Sequence, residues 1–410
     1  MDEGNPLEDD FTLGDVVEKK NKIKTRNKYI IIGAISLFVL ISIIIIIIVA
    51  SSNKKDSPKK EEKKEDDKKK DEEKEEEGEE EDEDDQPQEL SNIAVINCTF
   101  YIETISSETN ILNEEYHKNS RFYIFINGKK IPFSKKYKFE NVGEQLVTFD
   151  IYEDINMDYM FKDIPELFSV KMVSENTNIK ITSMKSTFEN CKILRDVIIK
   201  GYGTEKLIST HKLFYKTELS GFTFENFNNN NIEDISYMFA STYIYSFDFT
   251  NFNISQVKNM SHLFYNCESL RYIDFINIDT SSVLDMSYLF SGCTSLSSLE
   301  LDDFDTNKVI NMSNMFESCI YLRSLNLEYI RTENVVDMSS MFKGCELMYN
   351  INIRNFNTSK VKNMSKMFNY CKNLYYVDVL NFDTENVEDM SEMFSFCSSL
   401  TGLDLSNLTQ

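Results

Sequence analysis

From residue 156 onward the hydrophobic positions return every 26 residues. Cys267, Cys293, Cys319, Cys345, Cys371 and Cys397 hold that spacing without a slip, and a Phe stands three residues before each, from Phe264 to Phe394. The same Phe can be traced back through Phe239, Phe214, Phe188 and Phe161 at spacings of 25, 25, 26 and 27, so the N-terminal copies are the irregular ones. Two periods alternate within a copy. Leu270, Ile273, Phe275 and Ile278 carry a strand, whereas Met286, Leu289, Phe290 and Cys293 fall at i, i+3, i+4 and i+7, one stripe of a helix. Asp285, Asn311, Asp337, Asn363 and Asp389 stand just ahead of that stripe, where an N-cap side chain accepts the first free amide hydrogens. Each copy therefore predicts one strand, a turn and two to three turns of helix. Such a unit cannot bury its apolar face alone, so about nine or ten copies are expected to stack. The predicted fold class is an α/β solenoid, with one parallel sheet on one face and short helices on the other. Between them Thr280, Thr306, Thr332, Thr358 and Thr384 read as turn hydroxyls bonding local backbone.

The run from Val335 to Thr358 reads V-x-D/N-M-S-x-M-F-x-x-C-x-x-L-x-x-L-x-L-x-x-F-x-T, with Met348 in a leucine position. It resembles the BspA-type leucine-rich repeat of surface proteins (DUF285-like repeats), over roughly residues 156–410. The resemblance implies a leucine-rich-repeat-like solenoid, surface display, adhesion and partner binding. The Asn that more familiar leucine-rich repeats bury after the strand is replaced by Ile278, Phe304, Ile330 or Phe356, so no Asn ladder is expected.

Ahead of the repeats, residues 91–155 have another rhythm. Ala94–Ile102, Arg121–Ile126, Tyr137–Phe139 and Gln145–Tyr152 are rich in Val, Ile, Phe and Tyr, and Asn127-Gly128 between two such runs is a hairpin turn. A small β-rich domain is expected, either covering the end of the solenoid or binding on its own. Residues 51–90 are almost entirely Lys, Glu and Asp and read as a charged, disordered stalk. Tyr29 to Ala50 is 22 uncharged residues, long enough for a transmembrane helix and longer than the apolar core of a signal peptide. Residues 1–28 then become a cytoplasmic tail. Basic residues flank the span in equal number on both sides, so orientation is read from the short tail. The expected protein is a single-pass plasma-membrane protein of type II, with its repeats outside.

The net charge is −24, of which about −14 belongs to the residues outside the tail and the run Lys54–Asp85. No basic stripe offsets it, which argues against nucleic acid as a partner. Eight cysteines invite disulfides, but the six in the stripe would sit on neighbouring helices too far apart to bridge, and read as a ladder of buried thiols. His117, His211 and His262 are scattered, and neither a nucleophile elbow nor a phosphate loop is present. No enzyme, metal or cofactor is expected.

The binding chemistry is expected in the columns that do not repeat. One outward strand column reads Tyr245, Arg271, Ser297, Arg323, Tyr349, Tyr375 and Thr401. Another reads Asp248, Asp274, Glu300, Asn326, Asn352, Asp378 and Asp404. Acids, amides and tyrosines on an extended face suit a protein or glycan partner gripped through many contacts. The expected function is cell-surface recognition or adhesion. The alternative is a structural coat or spacer whose copies self-associate. Asn97, Asn253, Asn357 and Asn407 head sequons and are the glycosylation candidates.

Overall fold

In the computed structural model the described residues are 93–408, apart from 106–107, 175–177, 226, 228, 250–251 and 407. In chain order the strands are β1 (Ala94–Ile102), β2 (Thr109–Asn110), β3 (Phe122–Ile126), β4 (Lys129–Ile131), β5 (Lys136–Tyr137), β6 (Gly143–Ile151), β7 (Ile155–Asn156), β8 (Leu167–Val173) and β9 (Ile181–Ser183). They continue with β10 (Asp196–Lys200), β11 (Gly221–Glu225), β12 (Ser246–Asp248), β13 (Tyr272–Asp274), β14 (Asn350–Ile351) and β15 (Tyr376–Val377).

Alternation in β1 turns Ala94, Ile96, Cys98, Phe100 and Ile102 inward, and this strand lies in a seven-stranded sheet of order β11-β10-β8-β1-β6-β3-β4. Strand β1 runs antiparallel to β6 and to β8, with Cys98 opposite Val147 on one side and Val170 on the other. The predicted hairpin joins β3 to β4, its Asn127 and Gly128 both left-handed at φ 48° and 81°. Strand β8 is the hinge of the topology: antiparallel to β1, it is parallel to β10, which is parallel to β11. The antiparallel start thus passes into the parallel coils within one sheet.

Beyond β11 the chain winds as a β-solenoid, and the α/β expectation is corrected: the described residues contain strands and turns but no helix. The stripe Met286, Leu289, Phe290 and Cys293 is fully buried as predicted, yet its backbone is a chain of turns. Tyr288 and Gly292 have φ of 55° and 77°, and the matching pairs Asn314/Ser318, Ser340/Gly344 and Lys366/Tyr370 are left-handed as well. A right-handed helix has no place for such residues. At Gly292 an added Cβ would lie 2.1 Å from Asn266 Oδ1. The amides explain the choice. Those of Met286, Tyr288, Phe290 and Gly292 donate to Asn311, Ser313, Met315 and Glu317 in the next coil at 2.7–3.0 Å, while Leu289, Ser291 and Cys293 donate three residues back. Successive turns and a helix both bring i, i+3, i+4 and i+7 to one face; only the turns release every second amide to a neighbour.

Hydrogen-bonded columns hold coil to coil. Ser209, Asp234, Asn259, Asp285, Asn311, Asp337, Asn363 and Asp389 form a run of parallel bridges. The positions predicted as N-caps instead use Oδ1 to accept the amide two residues on, as from Ser287 to Asp285 at 2.8 Å and from Ser313 to Asn311 at 3.0 Å. From Asp234 to Asp389 acid and amide alternate strictly along this column, so no two carboxylates occupy successive bridges. The Thr column also reaches further than predicted. Thr332 Oγ1 donates to Asn357 C=O at 2.9 Å and accepts from Asn357 N–H at 2.7 Å, and Thr280, Thr306 and Thr358 repeat this with Asp305, Arg331 and Asp383. The bonds are inter-coil, not local. By contrast, the single continuous strand sheet is corrected to pairs: β12 with β13, and β14 with β15.

Side chains complete the stack. Phe161 to Phe394 form an unbroken pile of ten rings at centroid spacings of 5.5–5.9 Å and interplanar angles of 20° or less. All eight cysteines are free. Each stripe thiol donates to the carbonyl of the Phe one coil back, as Cys293 to Phe264 and Cys319 to Phe290 at 3.1 Å. Burial raises Cys267 to about 11 and Cys319 to about 12, which keeps them as neutral thiols.

No helix of the described residues is long and apolar enough to cross a membrane. The single-pass, type II plasma-membrane localisation predicted from residues 29–50 is corrected on that finding, and those residues, with the tail and the stalk, lie outside the described part of the chain.

Candidate functional site on the strand face

The coil of Leu270 shows how a strand segment opens. Leu270 is buried and its amide closes a turn onto Cys267 C=O at 3.1 Å. Arg271 then donates its amide to Tyr245 C=O at 2.9 Å, and the chain extends through β13. Ile273 and Phe275 pack against the core, and Arg271, Tyr272 and Asp274 face outward. Two consecutive outward residues precede the alternation, so the face carries three columns where strict alternation predicts two. The missed column is Ser246, Tyr272, Ser298, Ser324, Asn350 and Tyr376, all exposed. Its signal lies in the alternation itself, since Ile273 and Phe275 inward put Tyr272 and Asp274 outward; the column of Arg271 is the one that strict alternation would turn inward.

The structure brings all twelve predicted residues onto this face: Tyr245, Arg271, Arg323, Tyr349 and Tyr375 in one column, Asp248, Asp274, Glu300, Asn326, Asn352, Asp378 and Asp404 in the other. The two columns differ in what they are free to do. In the second, Oδ1 of Asp274, Asn326, Asn352, Asp378 and Asp404 accepts the amide two residues on, at 2.9, 3.2, 3.4, 3.1 and 2.9 Å, closing the turn that ends the strand. That amide, from Leu380, holds the Asp378 carboxyl below the usual carboxylate range, and the Arg354 guanidinium at 2.7 Å adds to it. Asp404 is lowered by the Ser406 amide in the same way. Glu300 is a residue too long for such a turn, and its carboxylate stands exposed. Much of the acid column therefore serves the fold.

The tyrosines make no comparable backbone contribution. Tyr272 is 63% exposed and Tyr349 58%. Tyr349 and Tyr375 stack with centroids 5.9 Å apart at 4°, Tyr245 and Tyr272 meet at 5.7 Å and 55°, and the Arg271 guanidinium lies 5.5 Å over Tyr245. These contacts fix the rings in place while their outer edges stay open, the combination that lowers the entropy cost of binding.

The glycosylation candidates are scattered. Asn97 is half-buried in β1 with Oδ1 accepting from Thr148 Oγ1 at 2.9 Å. Asn253 is exposed and donates to Asn230 Oδ1 at 2.7 Å; Asn357 is exposed and its Oδ1 accepts the Ser359 amide at 3.0 Å. Asn407 lies outside the described residues. Among the described residues no group of three His, Cys, Asp or Glu is placed to hold a metal ion.

No curated protein and no solved structure matches the chain. Three overlapping stretches, 155–273, 243–346 and 323–409, match the family described as "Mycoplasma protein of unknown function, DUF285". Those matches span the whole solenoid and well over half of the 410 residues, and the chain belongs to that family.

Proposed function

We propose that this chain is a recognition or adhesion protein that holds a protein or glycan partner on the strand face of its solenoid, and that this surface binds rather than catalyses. The observation that carries the reading is a contrast between columns. Buried positions repeat nearly the same residue from coil to coil, as Phe and Cys do, while the outward column from Tyr245 to Thr401 changes at almost every step. Packing explains the first and leaves the second free to match a partner. Tyr and Arg, the residues that most often dominate binding surfaces, hold five of its seven positions. The finer assignment to the BspA-type repeats belongs to this same reading.

The test compares the chain with a variant carrying Tyr245→Ala, Tyr349→Ala and Tyr375→Ala on arrays of proteins and oligosaccharides. A ligand held by the wild type and weakened at least tenfold in the variant, with the melting temperature unchanged, is the expected result. Equal retention by both would contradict the reading.

A further inference from the structure

The outward rings are not evenly spread along the strand face. Tyr245 and Tyr272 stand on one side, Tyr349 and Tyr375 on the other, and the two coils between them carry small or polar residues in all three strand-face columns, the exposed Tyr321 and Tyr329 lying outside those columns. Tyr272 has Tyr245 against one side, and the next residue in its own column is Ser298, which has no ring. Tyr349 is stacked on Tyr375, and its opposite side looks towards the coil of Arg323 and Ser324. The result is a trough three coil steps wide, about 14 Å at the ~4.8 Å spacing of neighbouring strands. A ring bounds each side, hydroxyls form the floor, and Arg323 and Glu300 lie within it.

The chemistry of that trough selects among occupants. A protein hot spot needs an apolar, water-excluding pocket at its centre. Here the centre is Ser298 and Ser324, and the rings are at the rim. The two central coils place Arg323 and Glu300 on this face, and Asp302, which accepts from Asn326 Nδ2 at 2.9 Å, lies beside them, so the floor is mildly acidic and disfavours sulfated or sialylated ligands on a chain of net charge −24. A neutral, polyhydroxylated ligand fits: its C–H faces lie against tyrosine, and its hydroxyls exchange hydrogen bonds with serine, guanidinium and carboxylate.

We propose that the trough between Tyr272 and Tyr349 binds an uncharged oligosaccharide, an inference that rests on the recognition reading above and names its ligand class. The full chain is to be tested on a printed array of neutral oligosaccharides, with sulfated and sialylated glycans and extended polypeptides alongside, and hits titrated in solution. Wild type retains at least one neutral oligosaccharide. Ser298→Tyr, which fills the floor at an exposed position whose column already holds Tyr272 and Tyr376, abolishes that binding. Tyr349→Ala weakens it at least tenfold, and Tyr243→Ala, outside the trough, changes it less than twofold. Unchanged circular dichroism certifies each variant as folded. Retention of no neutral oligosaccharide, or equal retention by Ser298→Tyr, overturns the inference. If only a polypeptide or a charged glycan is captured and Ser298→Tyr releases it, the recognition reading stands and the oligosaccharide assignment falls. If binding ignores every strand-face variant, both fall.

Discussion

Replacing Thr332 by Val tests the inter-coil clamp with almost no change of shape. Thr332 is 1% exposed, and its hydroxyl both donates to and accepts from the backbone of Asn357, 25 residues further on. Valine fills the same volume and leaves Asn357 N–H and C=O without that partner. Each orphaned group costs about 1–3 kcal/mol when water cannot reach it. The side chain of Asn357 is exposed, so the lower end applies, and about 2 kcal/mol is expected for the pair. Thr332→Ser keeps the hydroxyl and loses one buried methyl, about 0.8 kcal/mol. The discriminating quantity is therefore the order: Val destabilises more than Ser. Urea unfolding followed by tyrosine fluorescence gives the midpoints. Amide exchange gives the location, with Asn357 accelerated in the Val variant and Arg331, held by the intact Thr306 hydroxyl, unchanged. If Ser costs more than Val, or Asn357 exchanges as in the wild type, the hydroxyl does not join the coils and the reasoning fails.

Three further outcomes follow from the same geometry. Asn311→Asp puts carboxylates at three successive bridges, Asp285, 311 and Asp337, and at ~4.8 Å spacing it is expected to cost roughly 1–2 kcal/mol at pH 7 and low salt, shrinking at high salt; an unchanged urea midpoint contradicts this. His262 is sandwiched between Tyr237 and Tyr288 at 4.1 and 4.4 Å, and burial lowers it to about 4 against a partial opposing pull from Asp285. Its neutral form is the one the fold accepts, so its contribution is complete above pH 6.5 and is lost as pH falls from there towards 4; His262→Phe is expected to lose less melting temperature than wild type over that window, and parallel losses would refute it. Cys267 and Cys319, buried and raised to about 11 and 12, should resist iodoacetamide at pH 8 until the chain is unfolded, and mass spectrometry showing rapid labelling of the native chain would remove them from the core.

Much of the core is legible in the amino-acid sequence, because the period is a property of burial. Every member of the Phe and Cys columns from Phe264 to Cys371 is buried, as the 26-residue spacing implies. The helix expectation fails for the same reason: a stripe reports which residues face inward, and two backbones satisfy it. A clue is present at Gly292 and Gly344, glycines inside a supposed helix, and both have positive φ. The equivalent left-handed positions held by Ser318 and Tyr370 give no such sign, since those residues rarely adopt that conformation and do so here because inter-coil amides over-determine it. The site is half legible. Alternation counted back from Phe275 and Ile273 places Tyr272 outward and Arg271 inward, so the column of Tyr245 to Thr401 is exposed only because two outward residues follow the buried Leu270. The turn-closing role of Asp274 and Asp378 depends on where the strand stops, and sequence periodicity does not locate that.

The central claim is that the repeating stripe is a succession of inter-coil turns and not a helix. Backbone φ and through-hydrogen-bond couplings across residues 285–293, from NMR on selectively labelled full-length chain, test it most directly. The account predicts positive φ at Tyr288 and Gly292 and a coupling from Phe290 N–H to Met315 C=O, 2.9 Å away in the next coil. Negative φ throughout, with Phe290 N–H bonded to Met286 C=O, would contradict it.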